Sequence, residues 1–440
     1  MTSITLINPS HEVYAAHPSP PLWMAYLQGI LKGEGIKVRV IDESAGQIIG
    51  EIDTEWVAIG ATTPTIKKVY SLADKFRKQG KKVILGGPHP TIFPTEAIEH
   101  ADKIITGEAE EAIIKALNPN NSEKILKGTI SKPLDEFPDP CWDGFPLEKY
   151  SGPTRKGKYL AVLTSRGCPH ACVFCYHGTF GYNFNARSPK RVVDEIEHLV
   201  KDLNVKEISI IDDLFNYDRA RAKKICEQII ERGIKIAWSC PNGIRADYAD
   251  KELLALMKKA GCYQVAFGIE SGNQEIVNKV GKALDLKHVI EAVKNCNELG
   301  IESIGFFIIG LPYDTKETMQ QTIDFAKSLP TTYTQFTIAT PYPGTTLYKM
   351  VEAKGEFLEK DWSKFGSYMG KATYTFGELD PKLVEEMYAK AYKELYTPKY
   401  VAKKLFHNPK LIKAGIKYAF ERFKKAIESK FNFSKTIASA

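Results

Sequence analysis

The chain contains no apolar run long enough to cross a membrane. Its longest apolar stretch, from Ile304 to Pro312, falls well short of the ~18 residues that a spanning helix needs and predicts a buried strand. The N-terminus has no basic segment and no cleavage site, so no secretory signal is indicated. We therefore expect a cytoplasmic globular protein, and its 440 residues predict two or three domains.

The sequence also lacks a disulfide framework. Only eight cysteines occur in the chain, and three of them, Cys168, Cys172 and Cys175, fall within eight positions. A small secreted domain would spread its cysteines in pairs, whereas a tight triplet in a reducing compartment is typical of a metal site.

Excess positive charge is confined to the C-terminal end. The last sixty residues hold 14 Lys and Arg against five Glu, and the rest of the chain is slightly acidic. Residues 408–430 predict an amphipathic basic helix. Such a helix suits either packing on the protein with a solvated lysine face or peripheral docking at the inner membrane face. A nucleic-acid partner is disfavoured, since no aromatic-and-basic platform is evident.

Strands alternate with helices over residues 1–131, which predicts a doubly wound, Rossmann-like parallel sheet. No G-x-G-x-x-G follows the first strand, and this absence argues against a nicotinamide-binding domain. The loops at residues 9–21, 62–65 and 86–91 would open at the carboxyl edge of the sheet, where such folds bind ligands.

A second alternation begins after a proline-rich linker at residues 132–157. Six strand–helix units over residues 158–348 are too few for a closed eight-fold barrel and predict a partial (βα)6 TIM-like barrel. Residues 349–440 are expected to form a cap followed by the basic amphipathic helices. The predicted fold class is thus α/β, with a C-terminal helical region.

The cysteine triplet reads C-x3-C-x2-C and follows the first strand of the barrel. A 4Fe–4S cluster has four iron corners, so three thiolates leave one iron open to bind and activate another molecule. A structural zinc site is coordinated by four protein ligands, and no fourth Cys or His has a suitable spacing. Zinc and plain buried thiols remain the alternatives at this point.

The triplet, with Phe174 before its last cysteine and Tyr176 after it, resembles the signature of the radical S-adenosylmethionine (SAM) superfamily. The resemblance extends from about Tyr159 to Tyr348. It implies that the open iron of a 4Fe–4S cluster chelates SAM, and that an electron cleaves SAM to a 5′-deoxyadenosyl radical. It also implies an external reductant such as ferredoxin or flavodoxin.

The resemblance also places further residues at the mouth of the barrel. Glu270 resembles the acidic residue that holds SAM by its amine or ribose, and Ser271 lies beside it. Asp212 and Arg245 end the second and third strands, where the family places polar groups that hold the methionyl moiety, and Tyr176 is a candidate for the cavity wall. Ordinary alternatives are a helix cap for each acid, a salt bridge for Arg245 and packing for the tyrosine.

Residues 1–130 resemble the cobalamin-binding domain that precedes many radical SAM enzymes. The resemblance rests on segments that include I-G-A-T-T-P-T and G-G-P-H-P-T, which contribute five candidate cofactor-binding residues: Thr62, Thr63, Gly86, Gly87 and His89. The glycines would let the backbone approach a flat ligand or its nucleotide tail. The D-x-H-x-x-G motif, which supplies a histidine to cobalt elsewhere, is absent. A front domain that only walls the active site is the alternative.

The resemblance implies a cobalamin-dependent methyl transfer to an unactivated carbon of a small molecule, a lipid being one candidate. Radical cyclisation or carbon–carbon bond formation without cobalamin is the alternative. An iron–sulfur electron carrier is the non-enzyme hypothesis, although carriers usually close all four iron corners with protein ligands. No residue is assigned as a catalytic acid, base or acceptor.

Overall fold

The computed structural model describes residues 2–10, 19–154, 157–366 and 370–397. Its N-terminal part is built on a parallel β-sheet. The predicted basic helix at 408–430 lies outside the described residues. Residues through Tyr388 belong to one compact unit, and the second unit, which begins at Ala389, is described only through residue 397.

Six parallel strands form this first sheet in the order β2-β1-β3-β4-β5-β6. The strands are β1 Ser3–Asn8, β2 Lys37–Asp42, β3 Trp56–Gly60, β4 Lys82–Gly86, β5 Lys103–Gly107 and β6 Ile125–Gly128. Strand β1, second from one edge, pairs with β2 on one side and with β3 on the other, with Ser3 opposite Lys37 and Ile4 opposite Trp56. The order in which successive strands are added to the sheet therefore reverses between β1 and β3, and open α/β sheets bind ligands at such a switch point.

Helices cover both faces of the sheet, as the alternation predicts. They are α1 Leu22–Gly33, α2 Ile66–Lys78, α3 Pro88–Ile92, α4 Pro94–Ala97 and α5 Ala112–Leu117. Helix α2 buries Ile66, Val69, Ala73 and Phe76, which recur at helical spacing on one face. This apolar face packs on residues of β1, β3 and β4 in one core cluster.

The second sheet contains six strands in strict chain order, and all of its neighbouring pairs are parallel. They are β7 Tyr159–Val162, β10 Glu207–Ile210, β11 Ala237–Ile244, β12 Cys262–Glu270, β13 Glu302–Ile309 and β14 Tyr333–Ile338. The short strands β8 Ser165–Arg166 and β9 Asn185–Ala186 pair antiparallel on either side of the cysteine loop. The helices are α6 Pro189–Lys201, α7 Arg219–Glu231, α8 Lys251–Lys259, α9 Gln274–Lys279, α10 Leu286–Leu299 and α11 Lys316–Ser328. The predicted partial (βα)6 barrel is confirmed.

The segment after the barrel returns to the front domain. It contains α12 Thr346–Lys354, the antiparallel pair β15 Gly355–Phe357 and β16 Tyr374–Phe376, and α13 Pro381–Leu395. Trp362 lies in a short 3-10 helix, Trp362–Lys364, and packs against the core cluster that contains β1 and α2. Asp361 next to it forms an ion pair with Lys67 of α2 at 2.8 Å. None of the helices in the described ranges has both the length and the hydropathy to span a bilayer.

Candidate active site

The cysteine loop begins at Gly167, directly after β8. Gly167 has φ of +79°, and a β-carbon there would lie 2.2 Å from the carbonyl oxygen of Asn183. Both facts require glycine. The Gly167 N–H donates to a carboxylate oxygen of Asp213 at 2.8 Å, which fixes the start of the loop against the end of β10.

The three cysteines differ in their surroundings. Cys172 is buried, Cys168 is half-buried and Cys175 is exposed. A hydrogen bond from the Cys175 thiol lowers the pKa of Cys172 to about 7, against the opposing effect of burial, and the same bond raises the pKa of Cys175. Burial raises the pKa of Cys168.

The donor set fits an iron–sulfur cluster better than a single ion. Within the described residues, no three His, Cys, Asp or Glu side chains are grouped so that they could hold one metal ion. A zinc site would need its ligands to converge on one point at about 2.0–2.3 Å. A cluster spreads its cysteines over separate irons, so three thiols of one loop need not converge. The three thiols of this loop are therefore compatible with a cluster in which each cysteine binds a separate iron.

Neighbouring loops hold the cysteine loop in place. The N–H of Val173 donates to the carbonyl of Val280 at 3.0 Å, and the N–H of Leu347 donates to the carbonyl of Val173 at 2.7 Å. Gly281 has φ of +74°, and a β-carbon there would lie 2.7 Å from the carbonyl oxygen of Ala171. The turn after α9 thus approaches the cysteine loop too closely for any side chain at position 281.

Glu270 lies beside this turn at the end of β12. It has φ of +70°, an unfavourable conformation for a residue with a β-carbon, and it is largely buried. Its carboxylate accepts from Lys282 Nζ at 2.9 Å, and both side chains lie against Gly268. A backbone held in this region by the surrounding fold often marks a functional position. Lys282 did not follow from the sequence, because its partner is twelve residues away.

Ser271 and Arg245 are engaged by the protein itself. The Ser271 hydroxyl lies 3.0 Å from Thr322 Oγ1, accepts from the N–H of Asn273 at 3.1 Å and has no exposed surface. Arg245 donates twice to Asp247, at 2.9 and 2.7 Å. It also donates to the carbonyl oxygens of residues 282 and 283 at 2.8 and 2.9 Å. Its guanidinium therefore positions the turn that carries Lys282.

Asp212 is also buried within the protein. Its carboxylate accepts from the N–H and hydroxyl of Thr164 at 2.6 and 2.5 Å, and from the Ser165 hydroxyl at 2.6 Å. Burial raises the pKa of Asp212 in spite of these bonds. Asp212 thus joins the ends of β7 and β10, while the adjacent Asp213 is exposed at the start of the cysteine loop.

Tyr176 lies where the cysteine loop meets the front domain. A β-carbon on Gly344 would lie 2.7 Å from the Tyr176 ring and 3.1 Å from Ile92 Cγ1. The ring therefore packs beside α3 of the front domain, which is consistent with either a cavity wall or ordinary packing.

The two candidate glycines of the front domain, Gly86 and Gly87, differ in what surrounds them. Gly87 has φ of +100°, and a β-carbon there would lie 2.7 Å from the carbonyl oxygen of Ala61. The close approach is therefore to the neighbouring loop. At Gly86 the nearest atom to such a β-carbon is 3.6 Å away, an ordinary contact. The expectation that these glycines let the backbone approach a ligand stays a prediction.

His89 and Thr63 are both buried. Thr63 Oγ1 lies 3.1 Å from His89 Nδ1, and the imidazole packs against Phe93 and Trp362 with no exposed surface. Burial lowers the pKa of His89 and favours the neutral ring. The His89 side chain therefore lies in an aromatic cluster and not at the edge of the sheet.

Polar groups collect at the switch point between β1 and β3. Thr62 is exposed there. Glu43 accepts from the N–H of Ser10 at 2.7 Å and pairs with Lys68 at 2.6 Å. Lys68 also donates to Ser10 Oγ at 2.9 Å. Sequence reasoning missed Glu43 and Lys68, which lie on different elements and converge only in the fold.

Arg166 joins the front domain to the cysteine loop. It is two residues before Cys168 and pairs with Glu108 at 2.6 Å and with Glu110 at 2.5 Å. The guanidinium also lies over the rings of Tyr26 and Phe180, with its carbon 5.5 and 5.2 Å from their centroids. All three charged side chains are largely buried. The sequence shows an acidic segment after β5, but it does not show that Arg166, more than fifty residues away, is its partner.

Comparisons with known proteins agree with this two-part organisation. The Radical SAM superfamily model matches residues 162–326, and the B12 binding domain model matches residues 13–117. The radical SAM match implies SAM and a 4Fe–4S cluster as cofactors, and the B12 match indicates cobalamin.

Similar proteins span most of the chain. It is 33% identical to an uncharacterized methyltransferase from Pyrococcus horikoshii over 433 residues, which cover 90% of this chain and 93% of that protein. It is 28% identical to an anaerobic magnesium-protoporphyrin IX monomethyl ester cyclase from Cereibacter sphaeroides, over 92% of this chain and 71% of that one.

Among solved structures, the cobalamin-dependent SAM radical enzyme OxsB has the same fold. The TM-score is 0.73 at 17% identity, over 92% of this chain and 70% of that chain. Together with the similarity along nearly the whole sequence, these matches show that the chain belongs to the radical SAM superfamily, in the group with an N-terminal B12-binding domain.

Proposed function

We propose that the protein is a cobalamin-dependent radical SAM methyltransferase that methylates an unactivated carbon of a small molecule. The observation that carries this proposal is the buried ion-pair cluster of Arg166, Glu108 and Glu110. It fixes the start of the cysteine loop on the edge of the B12-type domain. The cysteine loop is thereby tied to the end of β5 in the front domain, which supports a transfer between two cofactors held close together.

In this proposal Cys168, Cys172 and Cys175 each bind one iron and leave the fourth open. When bound, the cluster and SAM supply a radical that removes hydrogen from carbon, and cobalamin supplies the methyl group. Glu270 accepts a hydrogen bond from the amine or ribose of SAM, and Tyr176 borders the cavity.

Three other candidate residues support the site through bonds within the protein. Asp212 and Ser271 fix the ends of the strands, and Arg245 fixes the turn after α9. At the switch point, Thr62 and the Lys68–Glu43 pair offer polar contacts to the nucleotide tail or amide side chains of cobalamin. His89 is not proposed as a ligand to cobalt, because its ring is enclosed by aromatic side chains.

Anaerobic purification tests the proposal, with iron, sulfide and cobalt quantified and the products of SAM followed under reducing conditions. Cobalt near one per chain, with both 5′-deoxyadenosine and S-adenosylhomocysteine formed, would support methyl transfer. Cys172→Ala should lose iron and both products. Cys226→Ala is the matched control, because Cys226 is a buried thiol of α7 outside the loop and should keep its iron.

A ring closure or carbon–carbon coupling is the second candidate, favoured by the similarity to the magnesium-protoporphyrin ester cyclase. It predicts 5′-deoxyadenosine without S-adenosylhomocysteine in the same assay. An external one-electron donor such as ferredoxin or flavodoxin is required in either case. A lipid substrate and membrane contact through residues 408–430 stay predictions, and they gain no support from the described residues.

A further inference from the structure

Lys282 occupies a special place next to the cysteine loop. It follows Gly281, where a β-carbon would lie 2.7 Å from the carbonyl oxygen of Ala171 and 3.8 Å from Cys172 Cα. Its own carbonyl accepts from Arg245 at 2.8 Å, which ties the turn to the end of β11. The N–H of Val173 donates to the carbonyl of Val280 at 3.0 Å, so the same turn is also bonded to the cysteine loop.

The ammonium of Lys282 is buried and faces acidic groups. Its side chain is 11% exposed, and Nζ lies 2.9 Å from Glu270 Oε1. Burial opposes the charge, yet the pKa of Lys282 is raised, because the carboxylate of Glu270 favours the ammonium form. The turn that carries this ammonium packs against the backbone of Ala171 and Cys172.

Of the other charges close to this position, Arg245 is the nearest cation. Its guanidinium pairs with Asp247 and donates to two carbonyl oxygens, so Asp247 offsets part of its charge. Glu270 is the carboxylate that pairs with Lys282 itself. The field at the cluster from this side therefore comes from two ion pairs, and in one of them Glu270 offsets the charge of Lys282.

We propose that Lys282 sets the reduction potential of the iron–sulfur cluster and that Glu270 attenuates its effect. The inference rests on the proposed function only in requiring the cluster. Reduction adds one electron from an external low-potential donor, with no bond made or broken, and increases the negative charge of the cluster. A nearby cation stabilises that extra charge, and charge near the cluster is one of the factors that set its potential.

The test is an EPR-monitored redox titration of the reconstituted full-length protein, with dithionite as reductant and neither SAM nor substrate present. Lys282→Gln should lower the reduced-to-oxidised ratio at a fixed solution potential by roughly tenfold, which is about 59 mV for one electron. Glu270→Gln should shift the potential in the opposite direction, because it leaves the cation unpaired.

Lys279→Gln is the matched control. Lys279 lies on α9, three residues earlier, and pairs with Glu275 at the surface, so its removal should leave the potential unchanged. Iron and sulfide contents equal to those of the wild type show that a variant has kept its cluster. If Lys282→Gln contains the cluster and titrates like the wild type, or if both variants shift in the same direction, the proposal is wrong. Failure of the methyltransferase assay would leave this titration interpretable.

Discussion

Replacing Arg166 should separate the front domain from the cysteine loop. Arg166 is 6% exposed, and its partners Glu108 and Glu110 have side chains that are 15% and 10% exposed. Arg166→Leu would leave two carboxylates buried without their cation. Removing one partner of a buried ion pair costs about 3–5 kcal/mol, whereas exposed pairs contribute about 0–1 kcal/mol. The loss should fall on the junction of the two domains, because both bonds cross it.

Hydrogen exchange followed by mass spectrometry is the appropriate assay, since a protein of several domains need not unfold in one step. Peptides covering residues 103–112 and 163–186 should exchange roughly a hundred- to several-thousand-fold faster in Arg166→Leu. The matched control is Lys32→Leu, which breaks the exposed pair between Lys32 and Asp143 and should change exchange little.

A double variant completes this test. Arg166→Leu combined with Glu110→Leu removes the cation together with one stranded carboxylate, so part of the lost protection should return. Protection in Arg166→Leu equal to that in Lys32→Leu would refute the reasoning. So would a double variant whose loss is the full sum of the two single losses.

Two further predictions concern stability, measured by thermal denaturation. Burial raises the pKa of Asp314 to about 6, so the folded protein binds its proton more tightly than the unfolded chain does, and stability falls as pH rises from about 4 to 6. Asp314→Asn should remove this loss, worth roughly 3 kcal/mol by pH 7. Gly87→Ala should destabilise by at least about 2 kcal/mol, because it combines an unfavourable φ with a backbone clash at Ala61. Gly86→Ala should change stability by less than about 1 kcal/mol, since its added carbon meets only ordinary contacts.

Each of these has an outcome that would contradict it. A wild-type and an Asp314→Asn protein whose denaturation temperatures change in parallel between pH 4 and 7 would show that the carboxyl is not protonated in the fold. Equal effects of alanine at positions 86 and 87 would show that the close approach at Ala61 relaxes without cost.

The architecture followed from the sequence because it depends on short-range pattern. The alternation of strands and helices predicts two parallel sheets, and both are present, with the second in simple chain order. The loop that carries the three cysteines follows β7 as predicted, since three cysteines on one loop need no long-range information. Secondary structure and the cysteine loop are therefore local properties that periodicity and spacing reveal.

The polar contacts of the site did not follow from the sequence, because their partners are distant. The resemblance places Asp212 and Ser271 at the mouth of the barrel near SAM, whereas in the structure they bond to Thr164 and Thr322 inside the protein. Lys282 could not be predicted from the sequence, because the turn that brings it to Glu270 exists only in the folded barrel. A polar residue at the end of a strand can face either the ligand or the scaffold, and only the tertiary structure decides which.

The return of the chain to the front domain at Trp362 affects how this protein can be divided. The Trp362 ring centroid lies 5.9 Å from that of His89 and 5.8 Å from that of Phe93. The ion pair between Asp361 and Lys67 lies next to these rings. A front domain expressed alone would expose the apolar surface that Trp362 covers. A functional chimera with a foreign front domain would therefore have to exchange residues 361–365 together with it, although they are more than two hundred residues apart in the chain.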